Sequence, residues 1–275
     1  MSDEQKVSLN QLQPAGPVPQ PGEAGYQPPS ATVPLPSSGK VYPIGSPLAS
    51  AETIQIKAMT AREEDILTSR SLLKQGKALD ALLRSCVVDR TVDVDSMLVG
   101  DRNAALVAIR ITGYGQEYRI KISCPKCEAE VEHEFDLASL PVKRLGVDPA
   151  NVGVNEFSFR LPVCRKDATF KLMTGADERE LSAILERTRK TGAGQESLVT
   201  TRLLQQILSI GGEKDKNKLA GIIRNLPARD SRDLRTYMDK ISPGVEMKQA
   251  FSCGQCGEES EVDVPMGTEF FWPQS

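Results

Sequence analysis

The sequence predicts an α+β protein: an N-terminal helical packet, zinc-ribbon-like β-hairpins carrying a helical insertion, and an extended Pro-rich N-terminal arm. Three observations predict it. Hydrophobic spacing switches between the 3.6-residue period of an amphipathic helix and the two-residue period of a half-buried strand. Two Cys-x-x-Cys pairs, Cys124-Pro125-Lys126-Cys127 and Cys253-Gly254-Gln255-Cys256, each interrupt a strand-like run. Ten of the 18 prolines fall within the first 50 residues.

Residues 1–52 form the arm. Pro17-Val18-Pro19-Gln20-Pro21 and Pro28-Pro29 favour polyproline-II geometry, and the polar filler between them cannot bury enough apolar surface to offset chain entropy. Two readings stand: a disordered tail, or an arm lying in grooves on neighbouring subunits. The second gives Val33, Leu35 and Tyr42 the role of partner anchors.

A helical packet is expected over residues 53–116. It opens on a strand, Thr53-Ile54-Gln55-Ile56-Lys57, followed by the capping box Thr60-Ala61-Arg62-Glu63. The helix after it runs to Gln75 and stops at Gly76. Leu79, Leu82, Leu83 and Cys86 mark a second helix, Val94 to Leu98 a short third, and Asp101 caps a fourth bearing Ala105, Val107, Ala108 and Ile109. Short connections between these imply a compact packet.

The period then becomes two. Tyr118–Ser123 and Glu130–Phe135 flank the first cysteine turn; Glu156–Leu161 and Ala168–Met173 form a second strand pair. Residues 176–242 read as a helical insertion, with stripes at Leu181/Ile184/Leu185, Leu198/Leu203/Ile207/Leu208 and Leu219/Ile222/Ile223/Leu226. Asp230 caps its last helix, and Gly192-Ala193-Gly194, Gly211-Gly212 and Pro227 punctuate it. Glu246–Ser252 and Ser260–Val264 flank the second cysteine turn, so residues 117–175 and 243–275 make up the hairpin region.

Four thiolates from Cys124, Cys127, Cys253 and Cys256 are the soft ligand set of a closed tetrahedral zinc site, which leaves no coordination position for catalysis. Cys256-Gly257 has the glycine that lets backbone amides approach the sulfurs; Glu128 stands in that place in the first knuckle. A thioredoxin-type pair opens a helix, whereas strands flank both pairs here. His133, the one histidine, lies at an alternating strand position and is read as a surface residue. Cys86 falls in an apolar run and reads as a small buried hydrophobe.

Composition narrows the function further. A net charge of -3 argues against nucleic acid as the primary partner. No apolar run is long enough to cross a bilayer, and Met1-Ser2-Asp3-Glu4-Gln5 does not resemble a secretory leader, so cytosolic thiols and metal binding are expected. Glu63 and Glu64 point about 100° apart on a helix and cannot jointly serve one substrate. Gly113-Tyr114-Gly115 lacks the rest of a nucleotide fingerprint. No catalytic triad can be assembled from one histidine, and an enzyme is not expected. Phe270-Phe271-Trp272-Pro273 either docks on the protein's own core or anchors in a partner.

Met59-Thr60-Ala61-Arg62-Glu63-Glu64-Asp65-Ile66-Leu67-Thr68-Ser69-Arg70 is similar to the opening of baseplate hub and hub-assembly proteins of T-even-like contractile-tailed bacteriophages. So are Leu98-Val99-Gly100-Asp101-Arg102-Asn103, Arg110-Ile111-Thr112-Gly113-Tyr114-Gly115 and Phe270-Phe271-Trp272-Pro273. The resemblance covers about residues 53 to 140, then the second knuckle and the tail. It implies a non-enzymatic phage protein, either a component of the tail baseplate in the virion or a chaperone that helps build the central hub, working in the host cytoplasm during assembly within a large oligomer, whose partners are other baseplate and hub proteins. Thr60–Arg70, Asp101-Arg102 and the aromatic tail are expected to have interface and framework roles. The rival readings are a zinc-ribbon nucleic-acid adaptor and a thiol-disulfide oxidoreductase.

Overall fold

The computed structural model describes residues 7–9, 28–191 and 198–271. β1 (Val7–Ser8) leads into Leu9, which is buried in the core. β2 (Ser30–Pro34) pairs antiparallel with β3 (Thr53–Lys57), setting Val33 opposite Ile54 and Ala31 opposite Ile56 on the inner face. β2 therefore lies among the residues expected to belong to the arm. Prolines 28, 29 and 36 flank the strand and Pro34 is its last residue, so none interrupts the ladder. The alternation that makes a half-buried strand is present in Ala31-Thr32-Val33, and Val33 and Leu35 are fully buried. The remainder of the proline-rich arm, residues 1–6 and 10–27, lies outside the described residues.

α1 (Ala61–Thr68) starts at the expected capping box: the Glu63 carboxylate accepts from the Thr60 amide at 2.9 Å. The helix does not run on to Gln75. Ser69 takes extended backbone and separates α1 from α2 (Arg70–Lys74), and Gly76 at φ 64° turns the chain into α3 (Ala78–Cys86). Val94–Leu98 is a set of turns rather than a helix, because Leu98 bridges to Thr174 and Val94 gives its carbonyl to the Arg102 guanidinium. α4 (Val99–Tyr114) therefore begins with Leu98 as its cap residue, and Asp101 lies inside the first turn. All of Ala104–Arg110 is buried, which makes α4 the interior helix of the fold. Gly100 permits one close approach: a Cβ there would sit 1.9 Å from the Pro243 carbonyl oxygen.

β4 (Glu117–Ser123) and β5 (Glu130–Asp136) form the first hairpin, with Tyr118 opposite Phe135. After β6 (Pro141–Lys143), β7 (Phe157–Arg160) and β8 (Asp167–Phe170) come α5 (Gly175–Thr191) and α6 (Leu198–Gln206). Ile207 and Leu208 do not extend the α6 stripe. They belong to β9 (Ile207–Ile210), the third strand beside β8, where the β-branched Ile207 and Ile210 fit a pleated surface better than a helix end. α7 (Lys216–Arg224) and α8 (Ala228–Ile241) follow, then β10 (Gly244–Val245), which pairs with β6 opposite β1. Pro227 occupies the α8 cap position. Asp230 instead accepts from the amides of Val163 (2.7 Å) and Cys164 (2.9 Å), holding the β7–β8 turn. Gly192-Ala193-Gly194 lies outside the described residues.

The stretch 176–242 packs on the main core. Leu203, Leu219, Ile223, Leu234, Met238 and Ile241 share one hydrophobic cluster with Leu82, Ala105 and Phe135. β11 (Lys248–Ser252) and β12 (Glu259–Asp263) make the last hairpin, whose Phe251 belongs to a small satellite cluster with Cys124 and Cys253.

Candidate metal centre

Each cysteine pair occupies the turn between two antiparallel strands. In the first, the Cys124 carbonyl accepts from the Glu128 amide at 2.9 Å; in the second, the Cys253 carbonyl accepts from the Gly257 amide at 2.9 Å. Both turns need a left-handed residue after the second cysteine, and both have one: Glu128 at φ 58° and Gly257 at φ 68°. The two knuckles thus share a backbone shape even though one lacks the favoured glycine.

The hairpins face each other and bring the four Sγ atoms within 4.8 Å of one another. Cys124 and Cys256 stand 3.7 Å apart, as do Cys127 and Cys253 at 3.8 Å. A disulfide requires about 2.05 Å. A tetrahedron with metal–sulfur arms of about 2.3 Å has edges of about 3.8 Å. The sulfurs are therefore spaced for a common ion and not for a covalent bond. The leading cysteine of each knuckle, Cys124 or Cys253, is buried, while Cys127 and Cys256 are exposed, so an ion would enter from the solvent side.

Electrostatics points the same way. Amide N–H groups of Cys256 and Gln255 draw the Cys253 thiol down to about 7. Cys256, although the Glu258 amide favours its thiolate, is pushed up to about 12 by desolvation and the sulfurs of Cys127, Cys253 and Cys124. Were all four deprotonated, thiolates this close would need a cation between them. Lys126 reaches across the knuckles to Glu258 at 2.7 Å. His133 lies between the hairpins as an aromatic spacer, its ring 4.6 Å from Phe135 and 5.4 Å from Phe251.

The expected partner anchors are placed differently. Val33, Leu35 and Tyr42 lie in the protein's own core, and so do Phe270 and Phe271. Trp272 and Pro273 fall outside the described residues. The physical reason is that the core supplies partners for their polar atoms. The buried Arg110 guanidinium donates to the Phe270 carbonyl (2.9 Å), to Gly115 (2.8 Å) and to Glu117 (3.1 Å), and Phe270 packs edge-on against Tyr118 at 5.0 Å. Tyr42 donates to Asp101 and accepts from the Leu98 amide at 3.0 Å.

Asp101 is the residue that sequence reasoning misplaced. It is fully buried and accepts from the Ser37 amide (2.9 Å) and hydroxyl (2.6 Å) as well as from Tyr42. Burial pushes its carboxyl above the usual range despite those donors. Arg102 beside it forms a buried ion pair with Asp80, which also binds Arg179. Asp101-Arg102 is thus internal framework: one side chain latches residues 37–42, the other the turns before α4.

Fold and site together define a mixed α+β protein with a clustered set of four cysteines. The chain matches the family model of the T4 bacteriophage base plate protein over residues 29–272, and it belongs to that family. Comparison with curated proteins and with solved structures gives no match. A base plate protein has a structural role in the phage particle, with other phage tail proteins as its partners. Among the described residues no helix is long and apolar enough to cross a membrane.

Proposed function

We propose that this chain is a structural or assembly component of the hub region of a contractile phage tail baseplate, kept in shape by one structural zinc ion on Cys124, Cys127, Cys253 and Cys256. It acts through protein–protein contacts and not through catalysis, and it assembles in the host cytoplasm before residing in the virion. The observation that carries the zinc reading is the pair of Sγ–Sγ distances, 3.7 and 3.8 Å, at the edge length of a zinc–thiolate tetrahedron. Sulfur-only donors favour zinc over hard cations. The ion would supply no chemistry beyond charge and geometry; the chain supplies amides that stabilise thiolate at Cys253 and a hydrophobic seat at Phe251.

The nucleic-acid adaptor fits less well. Glu130, Glu132, Glu134, Glu259, Glu261 and Asp263 all point outward from the ribbon, a surface that repels phosphate. The oxidoreductase reading calls for a Cys-x-x-Cys pair that opens a helix, whereas strands flank both pairs here. The test is native mass spectrometry with elemental analysis of the purified full chain. One zinc per chain, lost in a Cys124→Ser/Cys253→Ser double variant, supports the proposal; a metal-free wild type overturns it. Tails assembled without this protein should lack a complete hub, and unchanged hubs would refute that placement.

A further inference from the structure

We propose that the cleft between α5, α6, β9 and α7 receives the acidic β12 edge of a second copy of this chain, joining copies head to tail. The cleft encloses about 660 Å³ over an aliphatic floor that includes Ile184, Leu204, Ile207 and Leu219. Its charges are uneven. Lys171 pairs with Asp177 at 2.6 Å, and Glu180 is the other carboxylate at the rim. Lys214, Lys216 and Arg224 line the same cleft, are exposed, and enter no ion pair among the described residues. Four cations against two carboxylates leave the rim positive. Gln205 in the same wall has both ends of its amide buried and without a partner.

The matching surface lies on the metal ribbon. β12 turns Glu259, Glu261 and Asp263 outward, about 6.8 Å between successive members. Opposite them on β11 stand Ser252, Ala250 and Lys248, so Glu259 and Glu261 face no cation. Each surface is unbalanced alone and balanced by the other, which selects a second copy as occupant. Cleft and ribbon are different surfaces, so the contact is heterologous and generates a ring or an open array, not a two-fold dimer. The proposal rests on the metal-site reading only for the rigidity of β12.

The experiment is sedimentation velocity on the zinc-loaded full chain at low and physiological salt. Wild type should self-associate, more weakly as salt rises. Lys214→Glu/Lys216→Glu and Glu259→Lys/Glu261→Lys should each weaken association by about tenfold or more, and mixing the two variants should restore it, because each retains the surface the other has lost. Monomeric wild type, or failure of the mixture to recover, overturns the proposal. Capture of a synthetic Glu-Glu-Ser-Glu-Val-Asp peptide by a monomeric wild type also overturns it and assigns the cleft to an acidic segment of another protein. Zinc content measured on the same samples separates a collapsed ribbon from a failed contact.

Discussion

Glu128 carries a conformation that the second knuckle gives to glycine. A side chain in the left-handed region costs about 1 kcal/mol, and Glu128 is exposed with nothing to offset that cost. Glu128→Gly should therefore be stabilising by up to about 1 kcal/mol in urea unfolding, whereas Gly257→Glu should be destabilising by about as much. Asp101 tests the latch. Asp101→Ala orphans the buried donors of Ser37 and Tyr42 and should cost about 3 kcal/mol or more, while Asp101→Asn keeps an acceptor and should cost less. Glu63 supplies the pH dependence. Burial alone would raise its carboxyl, but donors from Ser85, Thr60 and Lys57 outweigh that and bring it to about 2. A depressed carboxylate stabilises the fold fully above about pH 4.5 and loses that contribution as pH falls toward 2. Glu63→Gln should thus unfold more easily at pH 7 by about 1–3 kcal/mol, and its gap from wild type should narrow steadily below pH 4.5. The capping role of Glu63 was legible because its partner Thr60 is three residues away. The role of Asp101 was not, because its donors lie 64 and 59 residues earlier and nothing local distinguishes a latch from a cap.

At the scale of elements, periodicity exposed the hairpins well. β4, β5, β11 and β12 alternate strictly, and the cysteines mark their turns. It failed where tertiary pairing overrode it. Ile207-Leu208 continues a helical stripe in sequence and becomes strand only because β8 offers a free edge. Val33 was readable as apolar but not as paired, since proline content masked a five-residue strand. The hairpin pair makes a further prediction. Its satellite cluster is small, so the ribbon should depend on metal, for which small peptides gain about 10–16 kcal/mol. α5–α8 sit on the main core and should not. Chelation should raise hydrogen exchange in residues 117–136 and 248–263 and leave 216–241 protected. Equal loss of protection in both would show that the ribbon and core are one cooperative unit.

Across the whole molecule, α4 is the element around which the chain closes. β2 and β3 cover it from the N-terminal side, β10 meets it at Gly100, and Arg110 at its other end holds the Phe270 carbonyl. Arg110→Ala should remove about 3 kcal/mol by urea titration and expose 270–271 to proteolysis; Arg110→Lys should recover little, because an ammonium cannot reproduce a fork aimed at three carbonyls. The sequence shows α4 as a helix with two arginines; only the assembled core shows that both are turned inward.

The proposed metal ligands are divided along the chain, with Cys253 129 residues after Cys124. At a synthesis rate of about 5–20 residues per second, the first knuckle waits roughly 6 to 26 s for the second. Throughout that interval Cys124 and Cys127 are a bare dithiol on a nascent chain, so a reducing environment during translation is a condition for the ribbon to form at all.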